Sequence, residues 1–220
     1  MSVRRLAPEE VQPKSFAWSK ELEAKCAFWL AKYPPERKRS AVIPFLWLAQ
    51  KQEGWVSQKA IEAIADQLGM PDIRVLEVAT FYTMFHLAPV GKVHFQVCGT
   101  TPCMLRGSGE IIKICKKRIG EHHHVTKDGK FSWEEMECLG SCANAPVVAI
   151  HDYYHEDLDA DSFNKIIDDL EAGKEVKPGS AIGRQKSAPE GGPTTLLDPK
   201  LYDGSLAKKI KIPNLPEKAK

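Results

Sequence analysis

Four cysteines in two tight pairs constrain this chain more than any other feature. The first pair is Cys98 and Cys103, in Val97-Cys98-Gly99-Thr100-Thr101-Pro102-Cys103, and the second is Cys138 and Cys142, in Glu137-Cys138-Leu139-Gly140-Ser141-Cys142. Four residues separate the first pair and three the second, with a helix-sized segment between the pairs. Four thiolates, two for each iron, are what a 2Fe-2S cluster needs, and we read the quartet as such a cage. A fold that carries it must hold two loops side by side on a rigid support.

The surrounding pattern supplies that support. Lys92 to Val97 reads as a strand that delivers Cys98 at its end, and Phe131 to Glu137 as a second that ends at Cys138. A helix is expected from about Leu105 to Ile119, with Ile111, Cys115 and Ile119 on one face. Pro146 to Ile150 and Tyr153-Tyr154-His155 give two more strands, joined by a turn at His151-Asp152. Asp159 caps a last helix through Phe163, Ile166, Ile167 and Leu170, stopped by Gly173. Strand, crossover helix, strands, helix is an α/β layer, with both cysteine pairs expected in loops just beyond strand ends.

Upstream the period is helical. Leu22, Cys26 and Leu30 mark one helix, ended by Pro34-Pro35. A second is expected from about Lys38 to Glu53, with Pro44 near its first turn and Gly54 as its stop. Ser57 caps a third that closes at Gly69, and Pro71 opens a fourth. The domains expected are thus an N-terminal arm (1–19), a helical bundle (20–88), an α/β domain (89–176) and an irregular tail (177–220), an α+β or α/β chain in class. The tail is broken by prolines and glycines, yet Ile182, Leu196, Leu197, Leu201, Tyr202, Leu206, Ile210, Ile212 and Leu215 make it more apolar than a solvating linker needs. It is expected to order only on a partner, with a basic end at Lys208, Lys209, Lys211, Lys218 and Lys220.

Composition excludes several classes. The 220 residues carry a formal charge of only +2, so no nucleic-acid footprint is expected. The longest apolar run, Ala41 to Ala49, is too short to span a bilayer. Arg4 and Arg5 are followed by acids rather than an apolar stretch, which matches neither a signal nor a transit peptide. A cytoplasmic setting follows, where paired cysteines more often bind metal than form disulfides. No GxGxxG fingerprint or P-loop is present, so neither NADH nor FMN is expected on this chain.

The quartet's residues suit an anionic cluster. Gly99 and Gly140 let the loops turn and bring amides toward sulfur, and Thr100, Thr101 and Ser141 offer hydroxyl donors. Zinc is the competing reading, since it also takes four thiolates, although its sites favour tighter CxxC pairs. Cys26 and Cys115 read as buried small hydrophobes. His122-His123-His124 reads as a solvated loop, with metal binding the sharper alternative, and Phe81, Tyr82 and Phe85 as packing between bundle and sheet.

Val97-Cys98-Gly99-Thr100-Thr101-Pro102-Cys103-Met104-Leu105 and Glu137-Cys138-Leu139-Gly140-Ser141-Cys142-Ala143-Asn144-Ala145-Pro146 resemble the signature of the small 2Fe-2S subunits of the NADH dehydrogenase module of respiratory complex I. Gln52-Glu53-Gly54-Trp55, Val78-Ala79-Thr80-Phe81-Tyr82-Thr83-Met84-Phe85 and Gly191-Gly192-Pro193-Thr194-Thr195-Leu196 extend the resemblance over roughly Tyr33 to Leu196. It implies a helical bundle joined to a thioredoxin-like ferredoxin domain, with Cys98, Cys103, Cys138 and Cys142 as ligands of one 2Fe-2S cluster. It implies a partner flavoprotein subunit carrying FMN and the NADH site, a neighbouring large iron-sulfur subunit, and a peripheral position on the cytoplasmic or matrix side of the membrane. It implies electron transfer as part of an NADH:quinone oxidoreductase, with no catalysis by the chain alone. Related 2Fe-2S subunits serve soluble NAD-linked hydrogenases and formate dehydrogenases, which stay open as an alternative.

Overall fold

A computed structural model describes residues 4–192 and 194–205. The bundle comprises α1 (Lys20–Leu30), α2 (Val42–Glu53), α3 (Gln58–Leu68) and α4 (Asp72–Phe81). Local chemistry sets its boundaries. The Ser57 hydroxyl accepts from Ala60 N–H at the start of α3, and Gly54 and Gly69 end α2 and α3 in the left-handed conformation. The helix expected from Lys38 begins as α-helix only at Val42, after a 3-10 stretch, Pro35–Ala41. Pro44 explains the late start: it has no N–H to give, and the first turn is where none is required. Phe45, Leu46, Ile64, Leu68, Val75 and Cys26 fill the bundle core.

Residues of the expected arm lie along this bundle. Ala7 N–H donates to Leu87 O at 2.8 Å, and Trp18 meets Phe45 edge-on at 5.8 Å between ring centres. Among the described residues no helix is long and apolar enough to cross a membrane.

The second half is a five-stranded mixed sheet of β1 (Val93–Cys98), β2 (Phe131–Met136), β3 (Val148–Ile150), β4 (Tyr153–Glu156) and β5 (Gly179–Ser180), in the order β2-β1-β3-β4-β5. β1 and β2 run parallel, which requires the intervening crossover. β3 is antiparallel to both β1 and β4. That crossover carries α5 (Thr101–Leu105) and α6 (Ser108–Arg118), and α7 (Ala160–Glu171) follows β4. The single helix expected from Leu105 to Ile119 is therefore two. Gly107, at φ +106°, breaks the run, and Pro102 in the first turn starts the shorter piece, so Cys103 lies in a helix rather than a loop.

Alternation divides the sheet's faces. Phe95, Phe131, Trp133, Val148 and Ile150 pack under Ile111 and Cys115 of α6 and Phe163 and Ile167 of α7. Asp159 caps α7 in a reciprocal box with Ser162. The opposite face of β1 and β2 is polar, with His94 paired to Ser132 and Gln96 to Glu134.

Two further expectations differ from the structure. Phe85 is fully buried, but Phe81 and Tyr82 are exposed (76% and 41%), because α4 ends at Phe81 and the chain turns to an extended conformation at Tyr82. The stretch expected to begin an irregular tail adds a strand to the sheet: β5 pairs in parallel with β4. Residues 206–220, which include Leu206, Ile210, Ile212, Leu215 and the basic end, lie outside the described residues.

Candidate metal centre

The two cysteine loops meet at one end of the sheet. Cys98 is the last residue of β1, and its N–H donates to Val147 O at 3.1 Å. Gly99 N–H donates to Met136 O, also at 3.1 Å, so β1 stays tied to both neighbours at the point where it delivers the thiol. α5 returns Cys103 beneath it, and Cys98 and Cys103 form one buried cluster with Ala145 and Val147.

Cys138 and Cys142 are exposed, and their Sγ atoms lie 3.3 Å apart. Their loop has little regular structure, and side chains from elsewhere hold it. Tyr154 Oη donates to Leu139 O at 2.9 Å. Glu156 accepts from the Ser141 hydroxyl and from Asn144 Nδ2, and Asn144 Nδ2 also donates to Lys186 O at 2.6 Å. Arg184 completes the brace: it reaches Asp157 at 2.7 Å in a pair that is almost fully buried, and donates to Ala143 O at 3.4 Å. The residues after β5 thus support the second cysteine pair.

The four thiols act on one another. Burial raises the Cys103 thiol to about 12, with its contact to Cys98 adding to the effect. Burial acts the same way on Cys98, but the Thr100 hydroxyl and the N–H groups of Thr100 and Leu139 outweigh it and the thiol is lowered. Gly140 N–H, 3.4 Å from Cys138 Sγ, lowers Cys138, helped by Cys142 and Thr100. Cys142 is raised, first by its hydrogen bond with Cys138. Thr100 thus serves a sulfur in each loop.

This donor set fits a thiolate-bound metal group. Backbone N–H groups from Thr100, Leu139, Gly140 and Val147 point at sulfur, which is what an anionic sulfur cluster needs. A tetrahedral metal with bonds of about 2.3 Å keeps two sulfurs roughly 3.8 Å apart, so the Cys138–Cys142 pair needs to open only slightly. Gly99 and Gly140 serve differently from one another. Gly140 takes a left-handed φ of +84°, whereas a Cβ at Gly99 would meet the Glu135 carboxylate at 2.0 Å, a matter of space alone.

The remaining candidates stay apart. Cys26 and Cys115 are fully buried in the two cores, and burial raises their thiols to about 11 and about 12. His122 is exposed, yet its Nε2 accepts from Glu135 N–H at 2.8 Å, so the histidine run is partly tied to β2.

Residues 26–171 match the profile of the thioredoxin-like 2Fe-2S ferredoxin family. An NADH-quinone oxidoreductase E subunit of Rhizobium meliloti (strain 1021) is 57% identical over 203 residues, 90% of this chain and 74% of that protein. The corresponding E subunit of Rickettsia bellii (strain RML369-C) is 59% identical over 143 residues, 64% of this chain and 86% of that one. Among solved structures, an NAD+-reducing NiFe-hydrogenase in the H2-reduced state aligns with 61% of this chain and 23% of its own, at a TM-score of 0.55 and 16% identity, a likeness of fold. With a profile match over most of its length and this identity to two such proteins, the chain belongs to the thioredoxin-like 2Fe-2S ferredoxin family, among the NADH-quinone oxidoreductase E subunits.

Proposed function

We propose that this chain is the small electron-transfer component of a membrane-associated NADH:quinone oxidoreductase, holding one 2Fe-2S cluster on Cys98, Cys103, Cys138 and Cys142. Its partners in this reading are a flavoprotein subunit bearing FMN and the NADH site, and a large iron-sulfur subunit, all peripheral on the cytoplasmic side of the membrane. One observation carries the proposal. Four thiols from two separate segments converge where backbone N–H groups face sulfur, in a chain 57% identical over 90% of its length to an NADH-quinone oxidoreductase E subunit.

When bound, such a cluster takes up and releases one electron at a time. The chain's own residues hold and shield it. β1 and α5 fix Cys98 and Cys103 against a buried wall of Ala145 and Val147. The Thr100 hydroxyl and the loop amides offset negative charge on sulfur. The outer side faces solvent through Cys138 and Cys142, and beside Cys103 the side chains of Met104 and Leu105 are 58% and 77% exposed. An apolar rim beside an exposed ligand pair suits coverage by a partner protein, which would exclude water from the electron path.

The equivalent 2Fe-2S component of a soluble NAD-linked hydrogenase is the second reading, favoured by the fold likeness to the hydrogenase. The much higher identity to E subunits supports the first. The test is anaerobic loading of the purified chain with iron and sulfide. About two irons and two sulfides per chain, visible absorption, and an EPR signal on chemical reduction are expected. NADH should reduce the centre only after the flavoprotein partner is added. Stoichiometric zinc in a colourless protein, or stoichiometric FMN on the chain alone, would contradict the proposal.

A further inference from the structure

The polar face of the sheet holds a second group of metal-binding side chains, away from the cysteines. His86 follows the bundle, His94 lies on β1 and Glu134 on β2. One ligand atom from each lies within 4.8 Å of the other two. His94 Nε2 is 3.1 Å from Glu134 Oε1, and His86 Nδ1 is 4.0 Å from the same oxygen. His123 Nδ1, from the loop before β2, approaches the other carboxylate oxygen at 3.8 Å. A cavity of about 420 Å³ opens onto the group.

From this arrangement we propose a zinc site, with His86, His94 and Glu134 as ligands, clasping the helical bundle to the sheet. Two neutral imidazoles and a carboxylate form a common zinc donor set. The strongest single observation is His94. Its side chain is 91% buried, and its Nε2, 3.1 Å from Glu134 Oε1, lacks a well-aligned hydrogen bond. A cation between the two would satisfy both. Its other nitrogen, Nδ1, lies 2.7 Å from Ser132 Oγ, and Gly91 N–H donates to the same oxygen. A ligand histidine held through its second nitrogen is the usual support of a metal site.

Arg4 and Arg5 line the same cavity, and the Arg4 guanidinium donates to the carbonyls of Ala79, Thr80, Tyr82 and Phe85 and is thereby turned to the backbone. Nε2 of His122 is engaged elsewhere, since it accepts from the Glu135 amide.

The test uses untagged, cluster-loaded chain titrated with zinc against a chelating indicator, followed by zinc-edge X-ray absorption. One zinc per chain beyond the cluster iron is expected, with nitrogen and oxygen neighbours at about 2.0–2.1 Å and none of the sulfur at about 2.3 Å that cysteine binding would give. His86→Asn and Glu134→Gln should each weaken zinc binding at least tenfold, and Ser132→Ala about tenfold, with iron and sulfide unchanged. His86, with 15% of its side chain exposed, is the least buried of the three, so its variant is the safest for folding. The pair His122→Ala and His124→Ala should leave zinc bound. The proposal is overturned by no uptake in the iron-loaded chain, by a sulfur shell, by binding indifferent to His86→Asn and Glu134→Gln, or by binding that depends on His122 and His124.

Discussion

The two cysteine pairs that we propose to hold one cluster have opposite constructions. The first pair is built into regular structure, Cys98 at the end of β1 and Cys103 in α5, and both residues are 1% exposed. The second pair sits on a loop whose shape comes from distant side chains, and both its cysteines are exposed. The difference teaches where rigidity and access are needed. A buried pair anchors a bound group to the fold; an exposed pair presents it outward, and a brace from beyond β5 keeps that outward loop in shape.

Reactivity should separate the halves most widely. In the metal-free chain, alkylation near pH 8 should strike Cys138 first, because it is exposed and its thiol is lowered by Gly140 N–H. Cys103 and Cys115, buried and raised to about 12, should react at least about a thousandfold more slowly, since each pKa unit is tenfold in thiolate. The Cys138 rate should also level off at lower pH than that of a free cysteine. Mass spectrometry of timed, quenched samples reads all six sites, and equal rates in the two loops would break the comparison.

The brace gives the next largest effect. Arg184→Ala strips the partner from the buried Asp157 carboxylate, and about 3 kcal/mol of stability should be lost. Denaturant melts read the loss. Hydrogen exchange should quicken around Ser141–Asn144 and leave Cys98–Cys103 protected; loosening of both loops alike would mean that the brace serves the whole domain.

A smaller effect comes from single ligands in the metal-free chain. Cys103→Ser places a hydroxyl in a dry wall and should cost about 1–3 kcal/mol, whereas Cys142→Ser, in solvent, should change stability by less than about 0.5 kcal/mol. The glycines give the smallest contrast. Gly140→Ala strains a left-handed backbone by about 1 kcal/mol, while at Gly99 the Glu135 side chain can swing away and the loss should be smaller.

Much of this was legible residue by residue where chemistry is local. The caps at Ser57 and Asp159, the stops at Gly54 and Gly69, and the alternation of Phe95 with its polar neighbours depend on a few adjacent residues. The spacing of the four cysteines carried the candidate site in the same way. What escaped depends on distance. Gly107 splits the crossover helix because Pro102 has already started one turn upstream, a competition that periodicity does not weigh. β5 is two residues long and exists only because β4 lies beside it. Phe81 and Tyr82 read as core because they are aromatic, yet the end of α4 leaves them outside. His86, His94 and Glu134 come from three segments that only the β1–β2 register and the docking of the bundle bring together.

The central claim is that two unlike segments supply two ligands each to one cluster. It is tested most directly by changing each of the six cysteines to serine, loading every variant with iron and sulfide, and measuring iron, acid-labile sulfide and the reduced-state EPR signal. Cys98, Cys103, Cys138 and Cys142 variants should lose or distort the cluster, while Cys26 and Cys115 variants keep the native signal. Loss of the cluster in Cys115→Ser with its retention in Cys142→Ser would contradict the account.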